Sequence, residues 1–311
     1  MIKRTLYFGN PAYLSLRNAQ LVLRLPEVEK NETLSITFKQ KAERTIPIED
    51  IGVVVLDNKQ ITITQGLIEA LLDNNCAIIS CNSSRMPTGL MLPLDGNSIQ
   101  NERFRKQINI SQPLRKQLWQ QTVQMKISNQ MSVLQKYRPH VEIGNMRAWI
   151  NDVKSDDIDN LEARAAVYYW KNLFPSIPDF TRGRDGIAPN NLLNYGYAIL
   201  RAIVARSLVS VGLMPTLGIH HHNRYNSYCL ADDIMEPYRP YVDEVVIKLF
   251  DSGTDIGNLN QDIKTKLLSI PVIEVKIGGS RSPLMVAVNT TTMSVYKCMS
   301  GEIRKIVYPM F

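Results

Sequence analysis

The residues best equipped for chemistry lie in one stretch, residues 218–244, GIHHHNRYNSYCLADDIMEPYRPYVDE. Three consecutive histidines, His220, His221 and His222, precede an acidic run in a chain with only four histidines. On a helix, Asp233 and Glu236 are three residues apart and Asp232 and Glu236 four apart, so their side chains share a face. A carboxylate face beside a neutral imidazole suits a divalent cation. Carboxylates neutralise its charge, and the imidazole adds affinity for Mn2+ over Mg2+. The same pattern has plainer explanations, because a helix start favours acidic residues through its dipole and histidine runs in loops are commonly solvated. Spacing alone leaves both readings open.

A third acidic residue comes from elsewhere. Glu162, in NLEARAAVYYW, borders the apolar stripe of Leu161, Ala165 and Tyr168. A carboxylate at the edge of a packed face is costly unless it is paired or coordinated; the alternative is a half-exposed glutamate in a first turn. No convincing Ser–His–Asp or Cys–His set accompanies these residues, so a protein nucleophile is not indicated. Cys76, Cys81, Cys229 and Cys298 are scattered, form no C-x-x-C pair, and read as reduced, mostly buried thiols. His140 stands alone and is read as structural.

The elements that must position these groups follow from composition and periodicity. Of 311 residues, 44% are hydrophobic and 21% charged, a globular composition. No apolar run reaches the length of a membrane span and MIKRTLYFGN lacks a signal-like apolar region, so a cytoplasmic protein is expected. A formal charge of +7 favours an anionic partner such as nucleic acid. The basic residues are spread in groups, Arg103–Arg105–Lys106, Arg115–Lys116 and Arg182–Arg184, each also readable as a solvated face.

Residues 1 to about 80 read as mostly β, with strands in LYFGN, 21–25, 34–38, 44–48, 51–57 and 76–80 and one helix over 65–75. Residues 82–98, with two prolines and two glycines, read as a connector. Helical spacing begins near residue 100. It predicts a helix from Pro113 through Leu134, another over 158–173, a third over 191–211 closing at Gly212, and a run from Tyr228 to Phe250 broken near Pro237 and Pro240. The fold class is α+β: a β-rich, β-sandwich-like N-terminal domain over 1–85, a linker over 86–100, and a larger all-α domain over 101–311.

The segments NLEARAAVYYW and YGYAILRAIVARSLVSVGLMPTLGIHHHNRYNSYCLADDIMEPYRPYVD closely resemble the helical half of the CRISPR adaptation integrase, CRISPR-associated protein one. RMPTGLMLP and the β-then-α order are similar to the same family, its type II members above all. The resemblance is most specific in LADDIMEPYRP and the histidine segment, and weakest over 251–281. It implies a metal-dependent DNA integrase and endonuclease that joins the 3′-hydroxyl ends of short DNA fragments to a CRISPR repeat by transesterification. The family's metal-binding catalytic positions fall on Glu162, His221 and Glu236, with Asp233 as an outer partner and Mg2+ or Mn2+ as the cofactor. Arg182, Arg184, Arg224 and Arg239 are the candidate phosphate contacts. The implied partners are double-stranded DNA, a second copy of the chain through the β domain, CRISPR-associated protein two in a hexamer-like assembly, and other type II CRISPR proteins, with no membrane. Three other readings remain: a non-catalytic DNA-binding scaffold, a metallohydrolase of small phosphoesters, and a zinc-stabilised structural protein.

Overall fold

Short β-branched runs cannot bury themselves singly, and the first part of the chain answers this with two sheets. The computed structural model describes residues 3–183 and 185–311, in two units, Met1–Gly96 and Asn97–Phe311. The first unit holds β1 (Arg4–Phe8), β2 (Ala12–Arg17), β3 (Gln20–Arg24), β4 (Arg44–Pro47), β5 (Ile51–Leu56), β6 (Ile61–Ile63), β7 (Ala77–Cys81) and β8 (Pro87–Met91). One sheet has the order β1-β5-β7-β8 and the other β4-β3-β2-β6.

In the first sheet β1, β5 and β7 are parallel, and β8 runs antiparallel to β7. Parallel neighbours need a crossover, supplied between β5 and β7 by β6 and the helix Gln65–Asp73. β5 reads IGVVVL without alternation because all but its last residue is buried, as a strand covered on both faces requires. Leu14, Leu21, Ile51, Val54, Leu67 and Leu71 form the core between the sheets and that helix. Asn18 and Ala19 take positive φ to turn β2 tightly back into β3.

Two sequence expectations fail here. Residues 34–38 are not a strand: Ser35 caps a helix, Ile36–Ala42, its side chain accepting from Phe38 N at 3.2 Å. Lys39 and Lys41 favour the same helix from its last turn. The alternation of Leu34, Ile36 and Phe38 had no core to face, since Ile36 and Phe38 are exposed. The stretch read as a connector contains β8, whose alternating pairs with β7 give Pro87–Met91 a partner.

The second unit is mainly helical. Its elements include the long helix Gln112–Tyr137 and the helices Gly144–Asp152, Leu161–Leu173, Asn190–Val211, Cys229–Met235, Arg239–Asp251 and Leu284–Met299. It is not all α as expected: an antiparallel hairpin joins β9 (Glu274–Ile277) to β10 (Ser280–Pro283), with Val275 and Ile277 of β9 buried in alternation. Ser111 caps the long helix and Pro113 lies in its first turn, where a missing N–H costs nothing. The helix Asn190–Val211 ends at Gly212, whose positive φ permits the closing turn. By length and composition this is the one helix among the described residues able to cross a membrane, and 78% of that apolar window is buried inside the fold. It packs against Cys229–Met235, Arg239–Asp251 and Leu284–Met299. Cys76, Cys229 and Cys298 are buried and Cys81 is half-buried, and His140 lies exposed beyond the long helix.

Candidate metal centre

Three helices of the second unit bring the candidate residues together, with the long helix as the common wall. Glu162 occupies the first turn of Leu161–Leu173. That helix does not start at 158 as its periodicity predicts. Asp156, Asp157 and Asn160 take positive φ and turn the chain first, and the buried Asp157 carboxylate then accepts from Leu161 N at 2.9 Å and Glu162 N at 3.0 Å. Asp157 thus satisfies two of the amides that a helix start leaves unbonded and sets where Glu162 projects.

Glu236 sits at the expected break between Cys229–Met235 and Arg239–Asp251, in a tight turn with Pro237 and Pro240. Asn129 of the long helix holds this turn, its side-chain amide donating to Pro237 O at 2.8 Å and Pro309 O at 3.0 Å. Lys126, one helical turn earlier on the same helix, is buried between the two glutamates. Its Nζ lies 2.6 Å from Glu162 Oε1 and 2.5 Å from Glu236 Oε2. Arg239 Nε donates to the other Glu236 oxygen at 2.8 Å.

These charges decide protonation. Burial alone would raise the Glu236 pKa, but the Arg239 guanidinium and the Lys126 ammonium outweigh it and hold the carboxyl at about 2. Burial likewise opposes the charge on Lys126, and Glu236 and Glu162 more than offset that, leaving its pKa above the ordinary lysine value. Glu236 Oε2 is buried against the Lys126 ammonium, 2.5 Å away.

His221 enters from the loop before Cys229–Met235. Asp233, fully buried, gathers this loop. Its Oδ2 accepts from Ile219 N at 2.6 Å and His220 N at 3.0 Å, and its Oδ1 from His221 N at 3.2 Å. Oδ1 also lies 2.5 Å from His221 Nδ1. Gly218 permits the wrap, because a Cβ there would run into the His221 carbonyl oxygen and crowd Asp233. The hydrogen bond to Asp233 raises the His221 pKa against the opposing effect of burial, and the charges of Asp233, Glu236 and Glu162 act in the same direction. With Nδ1 engaged, Nε2 of the half-exposed ring is the nitrogen left to bind outward.

Among the described residues, no group of three or more His, Cys, Asp or Glu side chains is gathered closely enough to hold a metal ion as it stands. The donor set nevertheless fits one. Two carboxylates already share one cation, Lys126, and an imidazole oriented by a buried carboxylate shares their field.

The neighbouring histidines do different work. His220 stacks on buried Trp119 with centroids 4.2 Å apart and planes at 5°, and His221 meets the same indole edge-on at 5.6 Å. His222 Nδ1 is 2.6 Å from His220 O, on the exposed side of the loop. Asp232 lies apart from the glutamates, held by Arg201 at 2.6 and 3.1 Å and by Asn226 at 2.7 Å. Lys126, Asp157 and Trp119 were not visible as site residues in the sequence: a lysine, an aspartate and a tryptophan on or near helices carry no local signal of what they face.

Of the arginines, Arg182 donates to Gly183 O, Asn190 and Asn194 at 2.6, 3.0 and 2.7 Å and so ties its segment to the helix Asn190–Val211. Arg239 is committed to Glu236 and lies over the Tyr197 ring. Arg224 is exposed, bonded to its neighbour Tyr225. Arg184 lies outside the described residues.

Comparison with known proteins gives one family. The family model described as CRISPR associated protein Cas1 matches residues 27–259. The CRISPR-associated endonuclease Cas1 of Neisseria meningitidis serogroup C (strain 8013) is 34% identical over 294 residues, 94% of this chain and 91% of the relative. Among solved structures, a casposase bound to integration product superposes with a TM-score of 0.75 at 21% identity, covering 98% of this chain and 92% of that one. A Cas6-RT-Cas1–Cas2 complex gives 0.73 at 17% identity, covering 98% of this chain and 36% of that chain.

Proposed function

This chain belongs to the Cas1 family of CRISPR-associated proteins, and from that premise we propose that it is a metal-dependent DNA integrase and endonuclease of CRISPR adaptation. The observation that carries the reading is the convergence of Glu162 and Glu236, from separate helices, on one cation, with His221 held by Asp233 within their field. Glu162, Glu236 and Nε2 of His221 would hold Mg2+ or Mn2+. When bound there, such a cation lowers the pKa of a hydroxyl and offsets the charge that builds on phosphate oxygens.

The chain's own residues then have defined tasks. Arg239 and Lys126 keep Glu236 ionised, so it offers lone pairs rather than a proton. Asp233 fixes the His221 tautomer with hydrogen on Nδ1. In the reaction proposed, the 3′-hydroxyl oxygen of a fragment forms a bond to a repeat phosphorus, the bond from that phosphorus to the neighbouring 3′-oxygen breaks, and a new 3′-hydroxyl leaves. Water in place of the fragment hydroxyl gives DNA cleavage. Positioning of the two ends supplies much of the rate. A likeness to a casposase bound to integration product supports the joining reaction, and a likeness to a complex containing Cas2 supports that small partner. The N-terminal unit serves dimerisation, and the assembly works on double-stranded DNA in the cytoplasm.

One observation favours a second reading. The glutamates are occupied by Lys126 and Arg239, an arrangement that a non-catalytic DNA-binding scaffold could also keep. Joining of a short duplex with free 3′-hydroxyls to a supercoiled repeat plasmid, with the partner subunit and Mg2+ or Mn2+, separates the two. Joining by the unaltered protein, lost in His221→Ala and in EDTA, is expected. Tight DNA binding with no joining in any metal means a scaffold, and joining that survives His221→Ala removes this metal centre.

A further inference from the structure

Lys126 is the member of the centre that a metal site least needs. Its side chain is only 10% exposed, and its Nζ lies 2.6 Å from Glu162 Oε1 and 2.5 Å from Glu236 Oε2. Its backbone is pinned on either side. Thr122 Oγ1 lies 2.8 Å from the Tyr308 hydroxyl, and Asn129 donates to Pro237 O and Pro309 O. Any change of partner therefore falls to the side chain alone. Both oxygens of Glu236 are engaged, one by Lys126 and one by Arg239. A divalent cation, which binds carboxylate oxygens at about 2 Å, must displace one of the two. Arg239 is held a second time, its guanidinium 4.5 Å from the centroid of the Tyr197 ring. Lys126 carries its charge at the tip of a flexible stem and gives way more easily.

Exposure and charge set where the ammonium goes. The centre opens on the side of Glu162 and His221, whose side chains are 24% and 42% exposed against 6% for Glu236. An ammonium leaving the glutamates swings toward that mouth. Glu162, Glu236 and Asp233 set three carboxylates against two cations, Lys126 and Arg239. With His221 neutral, one negative charge is in excess. A divalent cation turns this into one positive charge in excess, the complement of a phosphodiester.

We propose that Lys126 is a catalytic residue that changes partners: it fills the cation seat between Glu162 and Glu236 until a divalent metal takes that seat, and its ammonium then binds a nonbridging oxygen of the phosphodiester under attack. The proposal rests on the metal-dependent DNA-joining reading. Lys126 keeps its proton throughout, and the bonds formed and broken at phosphorus are those of the joining reaction. Its charge faces the oxygens on which negative charge builds.

The test uses the full chain at 4 °C without turnover. The probes are Mn2+, followed by loss of the free-ion electron paramagnetic resonance signal, and a branched duplex with one strand already joined to the repeat strand. The displaced 3′ end is dideoxy, which blocks reversal. Lys126→Met and Lys126→Gln should bind Mn2+ about tenfold more tightly than the unaltered protein, because a competitor for the glutamates is gone. In Mn2+ both variants should bind the branched duplex about tenfold more weakly. Replacing the joined phosphate by an uncharged methylphosphonate should then cost the variants about tenfold less than it costs the unaltered protein. In EDTA the replacement should cost all three equally. Lys126→Gln can still donate to the carboxylates, and it carries the test if Lys126→Met melts below the assay temperature. Weaker Mn2+ binding in the folded variants makes Lys126 a structural support and overturns the exchange. So does an equal methylphosphonate cost in Mn2+ for variants and unaltered protein; either result leaves the joining reading standing. If the unaltered protein binds Mn2+ no better than Glu236→Gln does, the metal reading falls and the exchange falls with it.

Discussion

Glu236 and Asp243 are carboxylates on the same stretch of chain, on either side of Pro240, both buried and both within reach of the Arg239 field. They end in opposite states. Glu236 meets an ammonium at 2.5 Å and a guanidinium at 2.8 Å and is held at about 2. Asp243 meets two phenols, Tyr169 at 3.0 Å and Tyr197 at 2.5 Å. Burial pushes its carboxyl up to about 7, and the phenol hydrogen bonds and the more distant Arg182 and Arg239 restrain the rise without cancelling it. Burial is shared, so the formal charge of the nearest partners decides. A carboxylate among cations stays charged and can exchange one cation for another. A carboxyl among phenols carries its own proton near neutrality and serves as a packing node.

The most severe way to break the comparison is Glu236→Gln. It removes one proposed ligand and leaves Lys126 and Arg239 facing a neutral amide. DNA joining should fall by more than about a hundredfold, beyond the usual cost of losing an outer partner. Chemical denaturation should show a loss of about 3–5 kcal/mol, the penalty for stranding a buried charge. Lys126→Met instead removes the cation that the two carboxylates share and leaves Glu236 to Arg239 alone. A loss of about 3 kcal/mol is expected in EDTA, substantially recovered by Mn2+; equal losses with and without Mn2+ would count against Glu162 and Glu236 as a ligand pair.

Acidity sharpens the contrast, because the two groups give stability profiles of opposite slope. The folded pKa of Asp243 lies above its ordinary value, so its contribution is complete below about pH 4 and is lost as pH rises toward about 7. Asp243→Asn, which imitates the protonated acid, should gain on the unaltered protein by a few kcal/mol across that interval, at about 1.4 kcal/mol per pH unit. A difference independent of pH would mean that Asp243 stays charged. The folded pKa of Glu236 is depressed, so its contribution is present above the ordinary carboxyl range and is lost as pH falls toward about 2. The acid limb of the melting curve should flatten in Glu236→Gln. The smallest effect is expected at the edge of the site: Trp119→Leu removes the surface on which His220 stacks and shrinks a buried side chain, and should cost about 2 kcal/mol of stability, with a few-fold loss of joining.

The parts of this centre that were legible in the sequence are those with local causes. The break at Pro237 and Pro240 follows from a missing N–H, and the stop at Gly212 from a positive φ that only glycine takes freely. Glu162, His221 and Glu236 stood out through family resemblance, and the structure sets both glutamates against Lys126. The strand expected at 34–38 failed because alternation identifies a face and not whether anything covers it; Ser35 and the lysines after it decided for a helix. The connector at 82–98 hid β8 because pairing with β7 is a contact between separated segments. Arg182 and Arg239 read as phosphate contacts in the sequence; what the sequence did not show is that Arg182 also donates to Asn190 and Asn194, and Arg239 Nε to Glu236.

What the sequence by itself determined is the order of elements, the segments that supply ligand-type side chains, and the family to which they point. These depend on neighbours within a few residues or on a pattern carried along the whole chain. What only the tertiary structure decided is the company each charged group keeps. Asp157 caps the helix of Glu162, Asp233 holds the loop of His221, and Lys126 rather than solvent lies between the glutamates. A side chain's protonation and its readiness to bind a cation depend on charges within a few ångströms, and here those charges come from helices far apart in the chain.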